Sequence, residues 1–265
     1  TPLMATDKIL SEVEGPVGRI IFNNPEKHNA VSLDMWAAVE GYLEEFKNDD
    51  DIRVVVLTGA GGRAFVSGAD ISRFENERAS EEAIKNYNEN VSRAYDSIYN
   101  FPKPTIAMIR GYCIGGGMGL ATVCDLRVCT EASTFAVPAA KLGLGYGHDK
   151  VRLLMNLVGP SFVKDIFFTA RQFKSEEAYN MGFINKIVAD DDLETYVQEY
   201  AERIAANAPL TISHIKKVAI EMVKDVEERD MGSVIDAFNK CFNSEDYKEG
   251  RTSFMEKRKP QFQGK

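Results

Sequence analysis

The sequence predicts an α/β fold in which a core of parallel strands and crossover helices is followed by a helical tail. Three observations predict it. Short apolar or β-branched runs bounded by glycine or charge, RVVVLTG (Arg53–Gly59), TIAMIRG (Thr105–Gly111) and DLRVCTE, read as buried strands. Helical segments separate them, and strands joined by such crossovers form right-handed βαβ units. From about Lys150 onward nearly every segment reads helical.

Taken in order, KILSEVE and GRIIFN flank Gly15-Pro16-Val17-Gly18, a β-hairpin with its turn at those four residues. SLDMWAAVEGYLEEFKND follows, with Met35, Trp36, Val39, Tyr42, Leu43 and Phe46 forming one apolar stripe of an amphipathic helix. After the Arg53–Gly59 strand comes a glycine-rich loop, GAGGRAFVSGAD, and then a polar helix from about Ser80 to Tyr99. Gly115-Gly116-Gly117 opens another helix. In the tail, Ser175-Glu176-Glu177-Ala178 starts a helix with acidic residues in its first turn. Ala208-Pro209 begins a further one, and Pro260 is expected to end the last. The chain carries no internal repeat and no low-complexity run, which argues against a solenoid.

Composition narrows the function. The 265 residues are 44% hydrophobic and 27% charged, ordinary for a globular protein. No window approaches the ~18 uninterrupted apolar residues of a membrane span. The opening TPLMATDKIL lacks the basic and apolar regions of a secretory signal. Four cysteines (Cys113, Cys124, Cys129, Cys241) form no C-x-x-C pair and read as reduced, packed thiols. Together these point to a soluble, cytoplasmic protein. Forty acidic against 32 basic residues give a net charge of −8, which argues against nucleic acid or an anionic membrane as partner. An anionic small ligand would need a local basic spot.

The motif search eliminates more than it selects. Neither G-x-G-x-x-G nor G-x-x-x-x-G-K-[ST] occurs among the 20 glycines, so dinucleotide and P-loop readings fail. H-E-x-x-H and G-x-S-x-G are absent, and His28, His148 and His214 are too scattered to argue a metal site. Two glycine turns remain: Ser67-Gly68-Ala69-Asp70 and Gly115-Gly116-Gly117-Met118-Gly119. Each precedes a helix, whose first N–H groups lack intrahelical partners. Facing one another, the two turns would form an oxyanion hole. The plainer reading is that these glycines only permit tight turns and close packing.

The stretches NNPEKHNAVSLDM, AFVSGADI, PKPTIAMIRGYCIGGGMGLATVCDLRV, FAVPAAKLGL, AYNMGFINKIV and FMEKRKPQF resemble the crotonase (enoyl-CoA hydratase/isomerase) superfamily, in family order over nearly the whole chain. The resemblance implies a spiral of ββα units over residues 1–200, related to the ClpP fold, with a helical trimerisation region over 201–265. It implies a homotrimer or homohexamer, an acyl-CoA thioester as substrate, and no cofactor beyond the coenzyme A that the substrate carries. Matched by position, the backbone N–H groups of Ala69 and Gly116 are the oxyanion donors, suited to a thioester carbonyl that becomes an enolate. Asp70, Ile71 and Ser72 would lie along the CoA chain, with Lys27, His28 and Ala30 near its nucleotide end. Lys257 from a neighbouring subunit would approach the phosphates. Lys27 and Lys257 read equally as ordinary solvated lysines.

The departures from the family pattern bear on the chemistry. Hydratases of the family carry one glutamate just after the GGG turn and another after a proline in the next turn; here Gly119 and Ala139 stand in those places. Hydration needs a group to deprotonate water and a group to protonate carbon, and neither residue can serve. The loop Leu144-Gly145-Tyr146-Gly147-His148-Asp149 offers substitutes. Asp149 reads as an acid/base or as the N-cap of a helix over Lys150–Leu157. His148 reads as a group titrating near neutrality or as an exposed loop residue. Tyr146 reads as a proton donor or as the aromatic wall of an acyl pocket. PAAKLGLGY also resembles the P-x-x-LG-x-x-Y stretch of the methylmalonyl-CoA decarboxylase branch, but Ala69 stands where that branch has histidine. The expected function is an enoyl-CoA hydratase/isomerase-like acyl-CoA enzyme that stabilises a thioester enolate, either hydrating the double bond with Asp149 or His148 standing in for the glutamates or isomerising it with Asp149 as the proton shuttle. Decarboxylation of a malonyl-type thioester, thioester hydrolysis, or acyl-CoA binding without turnover are the alternatives.

Overall fold

The computed structural model describes residues 6–68 and 79–265. The strands form two sheets. Strands β1 (Ile9–Glu14), β2 (Val17–Phe22), β3 (Val54–Gly59), β5 (Thr105–Ile109), β7 (Leu126–Thr130) and β10 (Lys186–Val188) make a six-stranded sheet in the order β1-β2-β3-β5-β7-β10. Only β1 is antiparallel to its neighbour. Strands β4 (Ala64–Val66), β6 (Tyr112–Ile114), β8 (Thr134–Ala136) and β9 (Phe173–Lys174) make the second sheet, parallel but for β9. Successive strands alternate between sheets: β3 then β4, β5 then β6, β7 then β8. A helix follows each pair: α2 (Glu81–Tyr99), α3 (Gly116–Val123) and α4 (His148–Thr169). The ββα spiral is therefore a structural repeat with no repeat in sequence.

The central strands β3, β5 and β7 of the large sheet are buried on both faces, as their uninterrupted apolar runs require. Side chains alternate across a strand. Val55 and Leu57 of β3, with Ala107 and Ile109 of β5, enter the main core beside α1 (Leu33–Asn48). Val54, Val56, Ile106 and Met108 face the other way, onto α6 (Leu193–Ala205) through Leu193, Val197 and Ala201. Residue 200 lies inside α6. The helices that follow it, α7 (Pro209–Met222), α8 (Met231–Phe242) and α9 (Glu245–Met255), continue the tail after the short α5 (Ser175–Asn180). No helix among the described residues is long and apolar enough to cross a membrane.

Several elements differ from the sequence reading. The hairpin turn is only Gly15-Pro16, because Val17 and Gly18 already pair with Glu14 and Val13. The tail contains strands β9 and β10. The last helix ends at Met255, not at Pro260: Lys257 adopts φ +53°, and the N–H groups of Lys257 and Arg258 close back on Phe254 and Ser253. Asp149 is not an N-cap. The helix starts two residues earlier, at His148, Gly147 is the cap, and no side chain caps it; α4 is then broken at Gly159 (φ +84°) before Pro160. All four cysteines are free, and burial pushes the thiols of Cys124 and Cys129 up to about 12.

One buried charge holds the short helix α3 in place. Arg127 is 3% exposed, and its guanidinium donates to the carbonyls of Phe183 (2.7 Å), Ala121 (3.0 Å), Cys124 (2.6 Å) and Asp125 (3.3 Å). A cation suits the C-terminal end of a helix, where carbonyls lack partners. Arg127→Met keeps much of the packing volume but orphans buried carbonyls, an expected loss of about 3 kcal/mol. Thermal denaturation should show a Tm lower by roughly 6–12 °C; an unchanged Tm would count against this anchoring.

Candidate active site

The two glycine turns meet. A Cβ built on Gly116, the first residue of α3, would lie 3.6 Å from the Cα of Gly68. The neighbouring glycines are there for steric reasons. Gly115 caps the helix at φ +57°, and a Cβ on Gly117 would lie 2.0 Å from the carbonyl oxygen of Val66. A Cβ on Gly116 meets only ordinary van der Waals contacts, so packing alone does not demand glycine there. Its backbone N–H belongs to the first turn of α3 and has no intrahelical acceptor. Ala69, Asp70, Ile71 and Ser72 lie outside the described residues.

The segment matched to the CoA end is fastened beside the first turn. Ser67 N–H donates to His28 O (3.1 Å) and Val31 N–H to Gly68 O (2.9 Å). Buried Asn29 organises the bend at φ +57°, its amide donating to Ala60 O (2.9 Å) and Ala64 O (2.8 Å). Lys27 ends a 3₁₀ turn, Ala30 is buried, and the His28 ring stacks on Tyr112 with centroids 5.5 Å apart. Lys257 is exposed in the turn after α9, well apart in sequence from these groups.

Beyond the glycine turns lies a cavity of about 40 Å³, walled by Tyr95 and Asp96 of α2, Met118, Gly119 and Thr122 of α3, and Tyr146, Asp149 and Lys150 at the start of α4. Three sequence-predicted residues, Gly119, Tyr146 and Asp149, thus share one space. Two do not: His148 is exposed at the helix start, and Ala139 is buried in the 3₁₀ turn Pro138–Lys141, neither lining the cavity. Tyr146 packs edge-on against Phe167 (4.9 Å) with 36% of its surface still exposed, and the partial desolvation of its ring raises its phenol above the ordinary value. Asp149, an exposed residue in the first turn of α4, borders the cavity at its rim. Burial and the nearby Asp149 raise the Asp96 carboxyl, although Lys150 opposes this. Burial lowers the Lys150 ammonium against the pull of Asp149 and Asp96.

Tyr95 is the residue the sequence did not reveal. Its ring, 6% exposed, stands edge-on to Trp36 (5.2 Å), with Lys150 Nζ over its face at 5.2 Å. Its hydroxyl donates to Gly116 O at 2.9 Å. A Cβ on Gly119 would lie 2.6 Å from that hydroxyl oxygen and 2.9 and 3.0 Å from the adjoining ring carbons. Residue 119 is glycine because Tyr95 occupies its side-chain space. In sequence, Tyr95 falls on the same helical stripe as Tyr87, Ala94 and Ile98, which reads as core, and nothing there links it to position 119.

The pair should be energetically coupled. Gly119→Ala is expected to cost about 1–3 kcal/mol by overpacking, and less in a Tyr95→Phe background, where the closest contact is gone. Denaturant unfolding of both singles and the double reads this directly; strict additivity would show that the two do not share the space.

Residues 12–265 match the enoyl-CoA hydratase/isomerase family model. The chain is 33% identical to the short-chain-enoyl-CoA hydratase of Clostridium acetobutylicum, over 97% of each protein. It is 32% identical to the crotonyl-CoA hydratase of Syntrophomonas wolfei, over 98% of this chain and 99% of that one. In structure it superposes on an enoyl-CoA hydratase/carnithine racemase from Magnetospirillum magneticum with a TM-score of 0.92 at 32% identity, covering 98% and 97% of the two chains. The two-sheet spiral and its helical tail are the crotonase fold, and the chain belongs to the enoyl-CoA hydratase/isomerase family as an enzyme that processes acyl-CoA thioesters.

Proposed function

We propose that this enzyme holds the thioester oxygen of a short enoyl-CoA between the backbone N–H groups of Gly116 and Ala69 and isomerises its double bond with Asp149 as the proton carrier. The observation that carries this reading is that Asp149 shares the narrow cavity with Gly119, while positions 119 and 139 hold no carboxylate. The carboxylate takes a proton from C2 of a 3-enoyl thioester, and the electron pair moves onto the oxygen as an enolate. Collapse of the enolate draws the same proton onto C4 and leaves the double bond between C2 and C3. One group suffices for both transfers, and N–H donors fixed in advance stabilise the charge as it develops. Tyr146 forms the wall of the acyl pocket. Lys27, His28, Ala30, Asp70, Ile71 and Ser72 take the CoA moiety, and the reaction uses no other cofactor.

Hydration is the second reading, favoured by the names of the hydratases that resemble the chain. The two separate in assay. Crotonyl-CoA hydration should be weak, and a 3-enoyl-CoA of four to six carbons should be isomerised. Asp149→Asn should lower kcat for isomerisation by about 10²-fold or more. Its Tm should move little, because Asp149 is not the helix cap. Unchanged kcat would move the role to Tyr146, tested by Tyr146→Phe, or to His148, tested by His148→Ala. Release of carbon dioxide from malonyl-type thioesters, or of free CoA, would show decarboxylation or hydrolysis instead. Tight binding without any turnover would show a binding protein.

The assembly we propose is a homotrimer or homohexamer built through the tail, where Lys257 reaches a neighbour's ligand. Ile215, Ile235, Phe238, Phe242, Phe254 and Met255 are exposed there, more apolar surface than a lone monomer ordinarily leaves in water. Light scattering should give three or six times 29.5 kDa. A monomer that binds CoA tightly would refute both the assembly and the shared lysine.

A further inference from the structure

We infer that Tyr95 sets the choice between isomerisation and hydration by occupying the space in which a carboxylate at position 119 would hold a water molecule; this rests on the isomerase reading above.

The argument is steric first. The Tyr95 hydroxyl oxygen lies 2.6 Å from where the Cβ of any side chain at 119 would begin, so no carboxylate can grow from α3 while the tyrosine is in place. The same oxygen lies 3.7 Å from the Cβ position of Gly116, which also faces Gly68. The phenol therefore stands between the Gly116 turn and the cavity. The ring cannot easily swing away. Trp36 abuts its edge, Lys150 covers its face, and the hydroxyl is bonded to Gly116 O.

The chemistry follows from what the hydroxyl can do in that position. Its proton is already donated to a backbone carbonyl, and burial together with Tyr146, Tyr87 and Cys113 holds the phenol well above its ordinary pKa. It stays neutral and is no base for water. Adding water across the double bond would require a base to remove a proton from that water as its oxygen bonds to C3. Tyr95 removes both the room for such a base at 119 and the water beside it. Moving a proton between C2 and C4 requires neither, and Asp149 enters the cavity from a different element, α4.

The test reverses the exclusion. Wild type, Gly119→Glu, Tyr95→Ala/Gly119→Glu and Tyr95→Phe are assayed for crotonyl-CoA hydration and for isomerisation of a 3-enoyl-CoA, with Tm followed throughout. The double variant, which has both the carboxylate and the room for it, is expected to hydrate at least about 10-fold faster than wild type. Gly119→Glu alone should not, and its Tm should fall. Tyr95→Phe keeps the ring in place, so its hydration should stay at the wild-type level. The inference is overturned if the double variant retains isomerase activity yet hydrates no faster, or if Gly119→Glu alone hydrates as well as the double. Should the double variant fail to fold, Tyr95→Phe decides: a clear rise in hydration would show that the hydroxyl, and not occupied space, held the reaction back. Failure of the isomerase reading shows separately, as wild-type hydration exceeding isomerisation or as an Asp149→Asn variant with unchanged kcat.

Discussion

The structure depends on how closely the short helix α3 approaches its surroundings. Gly117 lets its first turn rest on the Val66 carbonyl of the second sheet, Gly116 faces Gly68, and Gly119 admits the Tyr95 hydroxyl. At the far end Arg127 gathers the Ala121 and Cys124 carbonyls. A helix seated that closely at one end and anchored by a buried cation at the other holds its leading N–H groups rigidly. Rigid donors need no reorganisation as charge develops, which is the condition an oxyanion hole must meet.

The seating explains why backbone and side-chain chemistry separate in this protein. The proposed donors come from main chain and are fixed by the close seating of α3. The acid/base groups come from elements that merely border the cavity, α2 and the start of α4. Under the proposed reaction, a glycine at 119 leaves the main-chain donors in place and leaves proton transfer to a neighbour that reaches the cavity. Asp149 is the proposed carrier, and because Gly147, not Asp149, caps α4, its carboxylate makes no capping bond.

The sequence shows the larger sheet and hides the smaller. RVVVLTG, TIAMIRG and DLRVCTE are long and apolar enough to declare β3, β5 and β7. Ala64–Val66, Tyr112–Ile114 and Thr134–Ala136 have three residues each, too few for a period of two to register, and the first lies inside a glycine-rich stretch that reads as loop. Their pairing is wholly non-local. The same holds at the site. Glycine turns and the absent glutamates are visible as residue types at fixed spacing. The reason for Gly119 is a tyrosine 24 positions upstream on another helix, which local pattern cannot report. Asp149 is legible as a carboxylate near the start of a helix, but whether it or Gly147 is the cap turns on two residues of helix register, a precision periodicity lacks.

The contrast between the glycines at 115–119 separates structural from chemical necessity. Gly115 needs a left-handed backbone, and Gly117 and Gly119 have no room for a Cβ, so packing accounts for all three. Gly116 has neither constraint, since a side chain there would project toward Gly68 at ordinary contact distance. In the proposed reaction such a side chain would cost access, because it would fill the gap between the two turns where the thioester oxygen would meet the N–H group of Gly116. The plain packing reading of the glycine run thus accounts for Gly115, Gly117 and Gly119 and not for Gly116, the position of the proposed backbone donor.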